Sequence, residues 1–288
     1  MATLSECSAF GVEIDRDLIM HPRVGLHQVA FLNESTTAFV EHCRRIGVHH
    51  TTLVTVSLMR PGGVDEAQQA LAGGGVGVET VNHQFAVYPD LENDRGEATE
   101  NLLQAIDIAA ALGARSVYLQ TGGRGCLTWE QAAERFAALI APCKVTAAAH
   151  GIRVLVENAS SFNADIHIAH TLADTITLAK FAGIGLCIEW HACWMEAGLK
   201  ALLQQAIPMA GLMQVSDYVL GDRTAPCRAV PGDGVIPLDR ILGDALEAGY
   251  EGVFDIELVG PRIAAEGARA ATERAAQRVS EILTRLGA

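Results

Sequence analysis

The stretch Arg153–Asn158, which reads Arg-Val-Leu-Val-Glu-Asn, decides the fold, because an apolar β-branched run ends there in a carboxylate, Glu157. The same arrangement returns downstream, where short apolar runs end in Glu189, Gln214 and Glu257. Runs of this kind, bounded by polar breaks, predict buried strands. Because the carboxyl ends of neighbouring parallel strands meet at one rim, we expect these polar side chains to converge.

Outward from this stretch, apolar runs alternate with helical periods along almost the whole chain. The predicted strands are Val24–Phe31, His50–Leu58, Gly75–Val81, Ser116–Leu119, Arg153–Val156, Ile184–Ile188, Leu212–Val215 and Val253–Ile256. Helices separate them, and the last predicted helix covers Ile263–Leu286. This alternation predicts an α/β fold, a single (β/α)8 TIM barrel over residues 24–288 after an N-terminal extension at 1–23. A doubly wound open sheet gives a similar pattern, but polar endings on the last four strands favour the closed barrel.

Composition narrows the classes of function. The net charge of −13 opposes a phosphate-backbone partner, so we expect no nucleic acid. Seven scattered cysteines without a Cys-x-x-Cys pair indicate reduced thiols and a cytoplasmic protein. Residues 1–25 lack a long apolar run and no run approaches membrane-spanning length, so we expect neither a signal peptide nor a membrane partner. The sequence leaves open whether the protein forms a homo-oligomer.

The four strand-end side chains predict a metal site. A single carboxylate at a strand end is more simply explained as solvated or as a helix cap. Three carboxylates and an amide crowded at one rim would instead repel each other without a cation, which predicts a divalent ion on Glu157, Glu189, Gln214 and Glu257. An all-oxygen set suits Mn²⁺ or Mg²⁺, with Co²⁺ and Zn²⁺ as alternatives. Cys187, two residues before Glu189, is expected on the same face below the ion.

These residues carry a resemblance to the xylose-isomerase-like, or sugar phosphate isomerase/epimerase, superfamily of barrels. That group includes ketose 3-epimerases, inosose isomerases and dehydratases, hydroxypyruvate isomerases and dehydroshikimate dehydratases. Its glutamates after strands five and eight match Glu157 and Glu257. Its strand-six acid, followed within a few residues by histidine, matches Glu189 with His191.

The strand-seven region extends the resemblance and also departs from it. The family's His or Gln with an acid three residues on matches Gln214 and Asp217, and its Arg-x-x-Pro-Gly-x-Gly segment matches a run that starts at Arg228. Glu189 replaces the usual aspartate, and the Glu-x-His spacing is tighter than the common Asp-x-x-His, which leaves the role of His191 open. Glutamine at the strand-seven position is similar to the hydroxypyruvate-isomerase-like and dehydroshikimate-dehydratase-like branches.

The resemblance implies a metal-dependent isomerase or epimerase of a small sugar-like α-hydroxyketone, working through an enediolate. Glu157 and Glu257 would be both metal ligands and the acid–base pair. The alternative is a dehydratase or lyase of a keto sugar or keto acid. The residues expected at the substrate are His191, Arg228, Asp217, His83 and Trp194, with Asp217 also orienting a ligand or the following loop. A nuclease resembling endonuclease IV shares the barrel, but it needs a histidine-rich zinc cluster and a basic rim that this sequence lacks.

Overall fold

Eight parallel strands close into a barrel in the computed structural model, which describes residues 19–288. The strands are β1 (Val24–His27), β2 (His50–Val54), β3 (Gly77–Ala86), β4 (Ser116–Gly122), β5 (Arg153–Glu157), β6 (Gly185–Glu189), β7 (Ala210–Val215) and β8 (Phe254–Ile256). They follow sequence order, and β8 pairs with β1 through Ile256 opposite Leu26. The predicted barrel is confirmed. Residues 1–18 of the predicted N-terminal extension lie outside the described residues.

Helices surround the barrel. They are α1 (Thr36–Arg45), α2 (Thr55–Leu58), α3 (Gly63–Leu71), α4 (Glu97–Ala111), α5 (Trp129–Ala149), α6 (Leu172–Ala182), α7 (Trp190–Cys193), α8 (Leu199–Ala206), α9 (Leu238–Glu247), α10 (Pro261–Glu266) and α11 (Ala268–Leu286). Local signals set several of their starts. Thr128 and Gln131, for example, form a reciprocal capping box at the start of α5. Within residues 19–288, no helix is long and apolar enough to cross a membrane.

Several predicted boundaries were wrong. β3 runs on to Ala86, past its predicted end at Val81. Three other boundaries were wrong where apolar residues continue past a change of backbone. β1 ends at His27, whose side chain caps a 3-10 helix over Gln28–Phe31. β2 ends at Val54 and continues directly into α2. The predicted last helix is interrupted at Gly267, whose φ of 95° no helix contains.

The barrel interior is layered, and this layering places the polar strand ends. Tyr118, Leu155, Cys187 and Leu212 form a fully buried cluster with Val253. Side chains alternate between the two faces of a strand, so residues two positions further on share the interior face one layer higher. Those residues are Gln120, Glu157, Glu189 and Gln214. The sequence period therefore directs these polar side chains to the carboxyl-end mouth of the barrel.

Candidate active site

Three carboxylates meet at the carboxyl end of the barrel. Glu157 ends β5, Glu189 ends β6 and Glu257 follows β8, and all three are buried. Glu157 and Glu257 line a cavity of about 500 Å³ that opens among the loops after the strands. The structure thus brings together the three acids predicted from the sequence.

Arg228 lies between two of these acids. Its Nη2 is 3.0 Å from Oε2 of Glu189 and 3.1 Å from Oε2 of Glu257. The backbone holds it there, because Arg228 N donates to Val259 O at 3.0 Å and the next residue, Ala229, pairs with Asp217. Arg228 was predicted to bind substrate, and it does line the cavity. Its guanidinium also serves as the cation that bridges Glu189 and Glu257.

Asp217 builds the loop that carries Arg228. Its two carboxylate oxygens accept hydrogen bonds of 2.8–3.0 Å from four backbone N–H groups. The donors are Tyr218, Gly232, Gly234 and Ile236. Asp217 is buried and is absent from the cavity lining. The structure therefore places Asp217 where it orients the loop and outside the lining of the cavity.

With all three acids ionised, the cluster would carry more negative charge than Arg228 balances. Burial, followed by the charges of Glu257 and Glu189, raises the pKa of Glu157 well above its ordinary value. Burial also raises the pKa of Glu189 to about 7, although Arg228 acts against it. At Glu257 burial is outweighed, chiefly by Arg228, and the pKa is lowered. A further positive charge at this place would be stabilised by the cluster.

Gln214 lies opposite Glu189 in the register of β6 and β7, but its side-chain amide is hydrogen-bonded to residues below the strand ends. It is fully buried, its Oε1 accepts from the Cys187 thiol at 3.3 Å, and its Nε2 donates to Tyr118 Oη at 3.0 Å. The same Oη lies 2.7 Å from Nε2 of His27. Cys187 thus sits under the strand ends as expected, and the only donor to the Gln214 carbonyl among the described residues is a weakly donating thiol.

The donor set fits a divalent cation in its chemistry. Among residues 19–288, Oε2 of Glu189 is buried and accepts no aligned hydrogen bond, although Arg228 Nη2 lies 3.0 Å away, and Oε1 of Glu157 and Oε1 of Glu257 have no hydrogen-bond donor. Oxygens of this kind are the ligands of hard divalent ions. Across the same residues, however, no three His, Cys, Asp or Glu side chains have the spacing of an ion site. Because Arg228 lies between two candidate ligands, an ion and the guanidinium would compete for the same oxygens.

The remaining predicted residues divide between cavity and core. His191 and Trp194 line the cavity. His191 Nε2 lies 3.7 Å from the Cys227 thiol, and its buried Nδ1 has no hydrogen-bond partner within residues 19–288. Burial lowers the pKa of His191 to about 3, so the ring is neutral. His83 does not line the cavity. Its neighbours on β3 face the mouth, so alternation turns His83 outward, where Nδ1 lies 3.3 Å from Thr55 Oγ1.

Four uncharged residues that line the cavity were not predicted from the sequence. His27, Asn82, Gln84 and Gln120 line it from β1, β3 and β4. Gln120 Nε2 donates to Oε2 of Glu157, and Oε1 of that glutamate has no hydrogen-bond donor in the described part of the chain. Asn82 and Gln84 were hidden because β3 was expected to end before them. Their signal was present, since both are amides at alternate positions after an apolar run.

Comparison with known proteins gives a family and a fold. Residues 32–281 match the family model described as xylose isomerase-like TIM barrel. No curated protein matches the chain. The IOLI protein with a bound zinc atom shares 16% identity with a TM-score of 0.77, covering 92% of this chain and 99% of its own.

Two further solved structures are similar over most of their length. The D-psicose 3-epimerase of Clostridium cellulolyticum H10 shares 13% identity with a TM-score of 0.71, covering 92% of this chain and 98% of its own. AsbF of Bacillus anthracis, a probable 3-DHS dehydratase, shares 15% identity with a TM-score of 0.69, covering 91% and 98%. Identities this low establish the common barrel and leave the reaction to be argued from the residues.

Proposed function

The chain belongs to the xylose isomerase-like TIM barrel family, and from this premise we propose that it is a divalent-metal-dependent isomerase or epimerase of a small sugar-like α-hydroxyketone. The pair Glu157 and Glu257 carries the proposal. Both reach one cavity, from β5 and from the end of β8, and therefore approach a bound molecule from different sides. In each glutamate a neighbour holds Oε2, and Oε1 accepts no hydrogen bond from the described residues, 19–288.

The metal ligands in this proposal are Glu157, Glu189, Gln214 and Glu257. The all-oxygen donor set supports Mn²⁺ or Mg²⁺, and the zinc bound to the structurally similar IOLI protein supports a divalent ion more generally. When bound, the ion would act as a Lewis acid for negative charge that develops on the substrate oxygens.

The two glutamates perform the proton transfers. One of the two glutamates removes the proton from the carbon that bears the hydroxyl group, next to the ketone. The other glutamate returns a proton to the opposite face, which inverts the carbon, or to the former carbonyl carbon. In the second case the hydroxyl proton also passes to the former carbonyl oxygen, and ketose and aldose interconvert. Positioned proton transfer of this kind contributes about 10²–10⁴-fold. Gln120 and Arg228 fix the two carboxylates, and the amides of Asn82 and Gln84 offer donors and acceptors to substrate hydroxyls.

A dehydratase or lyase is the second candidate. Arg228 Nε is buried without a hydrogen-bond partner among the described residues, which favours a substrate that brings an acceptor oxygen, such as a keto acid. Proton removal would begin in the same way. If a hydroxyl group lies β to the carbanion, its departure as water yields an enone in place of an inverted carbon.

Solvent-deuterium exchange tests the proposal. The protein is incubated in D₂O with Mn²⁺, Mg²⁺, Co²⁺ or Zn²⁺ and a panel of ketoses and keto acids, and NMR follows the carbon next to the ketone. We expect deuterium incorporation by wild type, and at least 100-fold less in Glu157→Gln and Glu257→Gln. Glu247→Gln, an exposed acid on α9, is the matched control. An absorbing enone product would select the dehydratase, whereas no exchange and no product with any metal would refute both candidates.

A further inference from the structure

The outer half of the cavity has a different chemistry from its floor. The floor consists of acids and amides at the strand ends, while loops after β5 to β8 supply most of the wall above it. We propose that this wall binds an apolar group of the substrate, so that the substrate is an α-hydroxyketone attached to an aromatic or alicyclic group. The inference rests on the proposed function for the reacting end.

Two large apolar side chains define the wall. Phe162, after β5, is 72% exposed, and Met195, after β6, is 77% exposed. Both line the cavity that Glu157 and Glu257 reach. The wall is completed by Ile166, Trp194, Pro226 and Val259. Its exposed apolar surface is thus continuous with the acids that would carry the reaction.

The apolar wall argues against a free sugar as the whole ligand. A sugar carries hydroxyls along its length, and each hydroxyl needs a partner when water is removed. In this cavity the strand ends supply acids and amides, and the loops add polar side chains as well, namely Ser160, Asn163, Tyr218, Asp222 and Thr224. Phe162 and Met195, however, present large apolar surfaces that offer a sugar hydroxyl no hydrogen-bond partner. A cavity of about 500 Å³ has the size of sites that hold drug-sized ligands, which leaves room beyond a small reacting end.

Position separates this wall from ordinary exposed apolar residues. Tyr88 and Val145 are also 89% and 73% exposed, but neither lines the cavity, and single exposed apolar side chains are normal on protein surfaces. Phe162 and Met195 come from separate loops and meet at one cavity. Contiguous apolar surface beside polar anchoring groups is typical of ligand sites.

A matched pair of ligands tests the inference. Calorimetry compares hydroxyacetone with its phenyl derivative, in which phenyl replaces one methyl hydrogen and the α-hydroxyketone is unchanged. We expect the phenyl compound to bind wild type at least ten-fold more tightly. The double variant Phe162→Ser, Met195→Ser should lose most of that gain, while the control Val145→Ser keeps it.

Several results would overturn the inference: equal affinity for the two ligands, no measurable binding of the phenyl compound, or a gain that survives the double substitution. Sedimentation velocity on the same proteins tests the alternative that a second copy of this chain covers the wall. If the double substitution converts an oligomer to a monomer without changing phenyl affinity, the wall is a contact between copies. Failure of the proposed reaction is distinguishable, because phenyl preference without deuterium exchange refutes the reaction and leaves the apolar subsite.

Discussion

Replacing Arg228 by methionine should strengthen metal binding. The guanidinium lies 3.0 Å from Glu189 and 3.1 Å from Glu257, on oxygens that the proposed ion would use. At an effective dielectric constant of about 20, each such contact is worth about 5 kcal/mol before desolvation. Loss of hydration by the buried charges offsets most of this attraction. We therefore expect Arg228→Met to strengthen Mn²⁺ binding by about 1.4–2.7 kcal/mol, which is about 10- to 100-fold in affinity.

Isothermal titration calorimetry with Mn²⁺ at fixed ionic strength measures the effect. Arg228→Met should bind more tightly than wild type, and Arg228→Lys, which keeps the charge, should stay closer to wild type. Arg45→Met is the matched control, because Arg45 pairs with Glu273 at 2.9 Å and neither residue lines the cavity. Thermal unfolding establishes that each variant is folded. Unchanged or weaker Mn²⁺ binding by folded Arg228→Met would refute the competition between the guanidinium and the ion.

Other regions of the chain give three further predictions. Asp217→Ala should lower the free energy of unfolding in urea by about 2–4 kcal/mol, because four backbone donors lose a charged acceptor; a loss below about 1 kcal/mol would contradict this role. Burial, with Arg45 next, lowers the pKa of His42 from 6.5 to about 4. As the pH falls, His42 is therefore protonated in the unfolded chain before it is protonated in the folded protein. The contribution of neutral His42 to the free energy of unfolding is complete above about pH 6.5, and it decreases by up to about 3 kcal/mol towards pH 4. His42→Gln should flatten this part of the stability curve, and an unchanged curve would contradict the assignment. Cys126 is exposed, so Cys126→Ser should remove one of the thiols that react fast with Ellman's reagent. An unchanged number of fast-reacting thiols would contradict its exposure.

The placement of the acids could be predicted because it depends on local periodicity. Glu157 and Glu189 each lie two residues after a buried interior side chain, so the strand period alone sends them to the mouth. The alternation of strands and helices gives the barrel for the same reason. Where the local pattern is ambiguous, as at Gln28–Phe31, the apolar run predicted strand and the chain forms a 3-10 helix instead.

Contacts between residues distant in the chain could not be predicted. Arg228 reaches Glu189 and Glu257 only because its loop folds back through the pairing of Asp217 with Ala229, and no local period encodes that return. The Gln214 amide is likewise held by Tyr118, 96 residues earlier. The sequence indicated which residue types meet, whereas the side-chain network decides which oxygens are free.

Metal content tests the central claim, that the strand-end glutamates form a divalent-metal site. The measurement is inductively coupled plasma mass spectrometry on chelator-free protein, wild type beside Glu157→Ala and Glu257→Ala, each shown to be folded by circular dichroism. The account predicts a near-stoichiometric divalent metal in wild type and its loss from both variants. Folded wild type that contains no metal, and takes up none on dialysis against Mn²⁺, Mg²⁺, Co²⁺ or Zn²⁺, would contradict it.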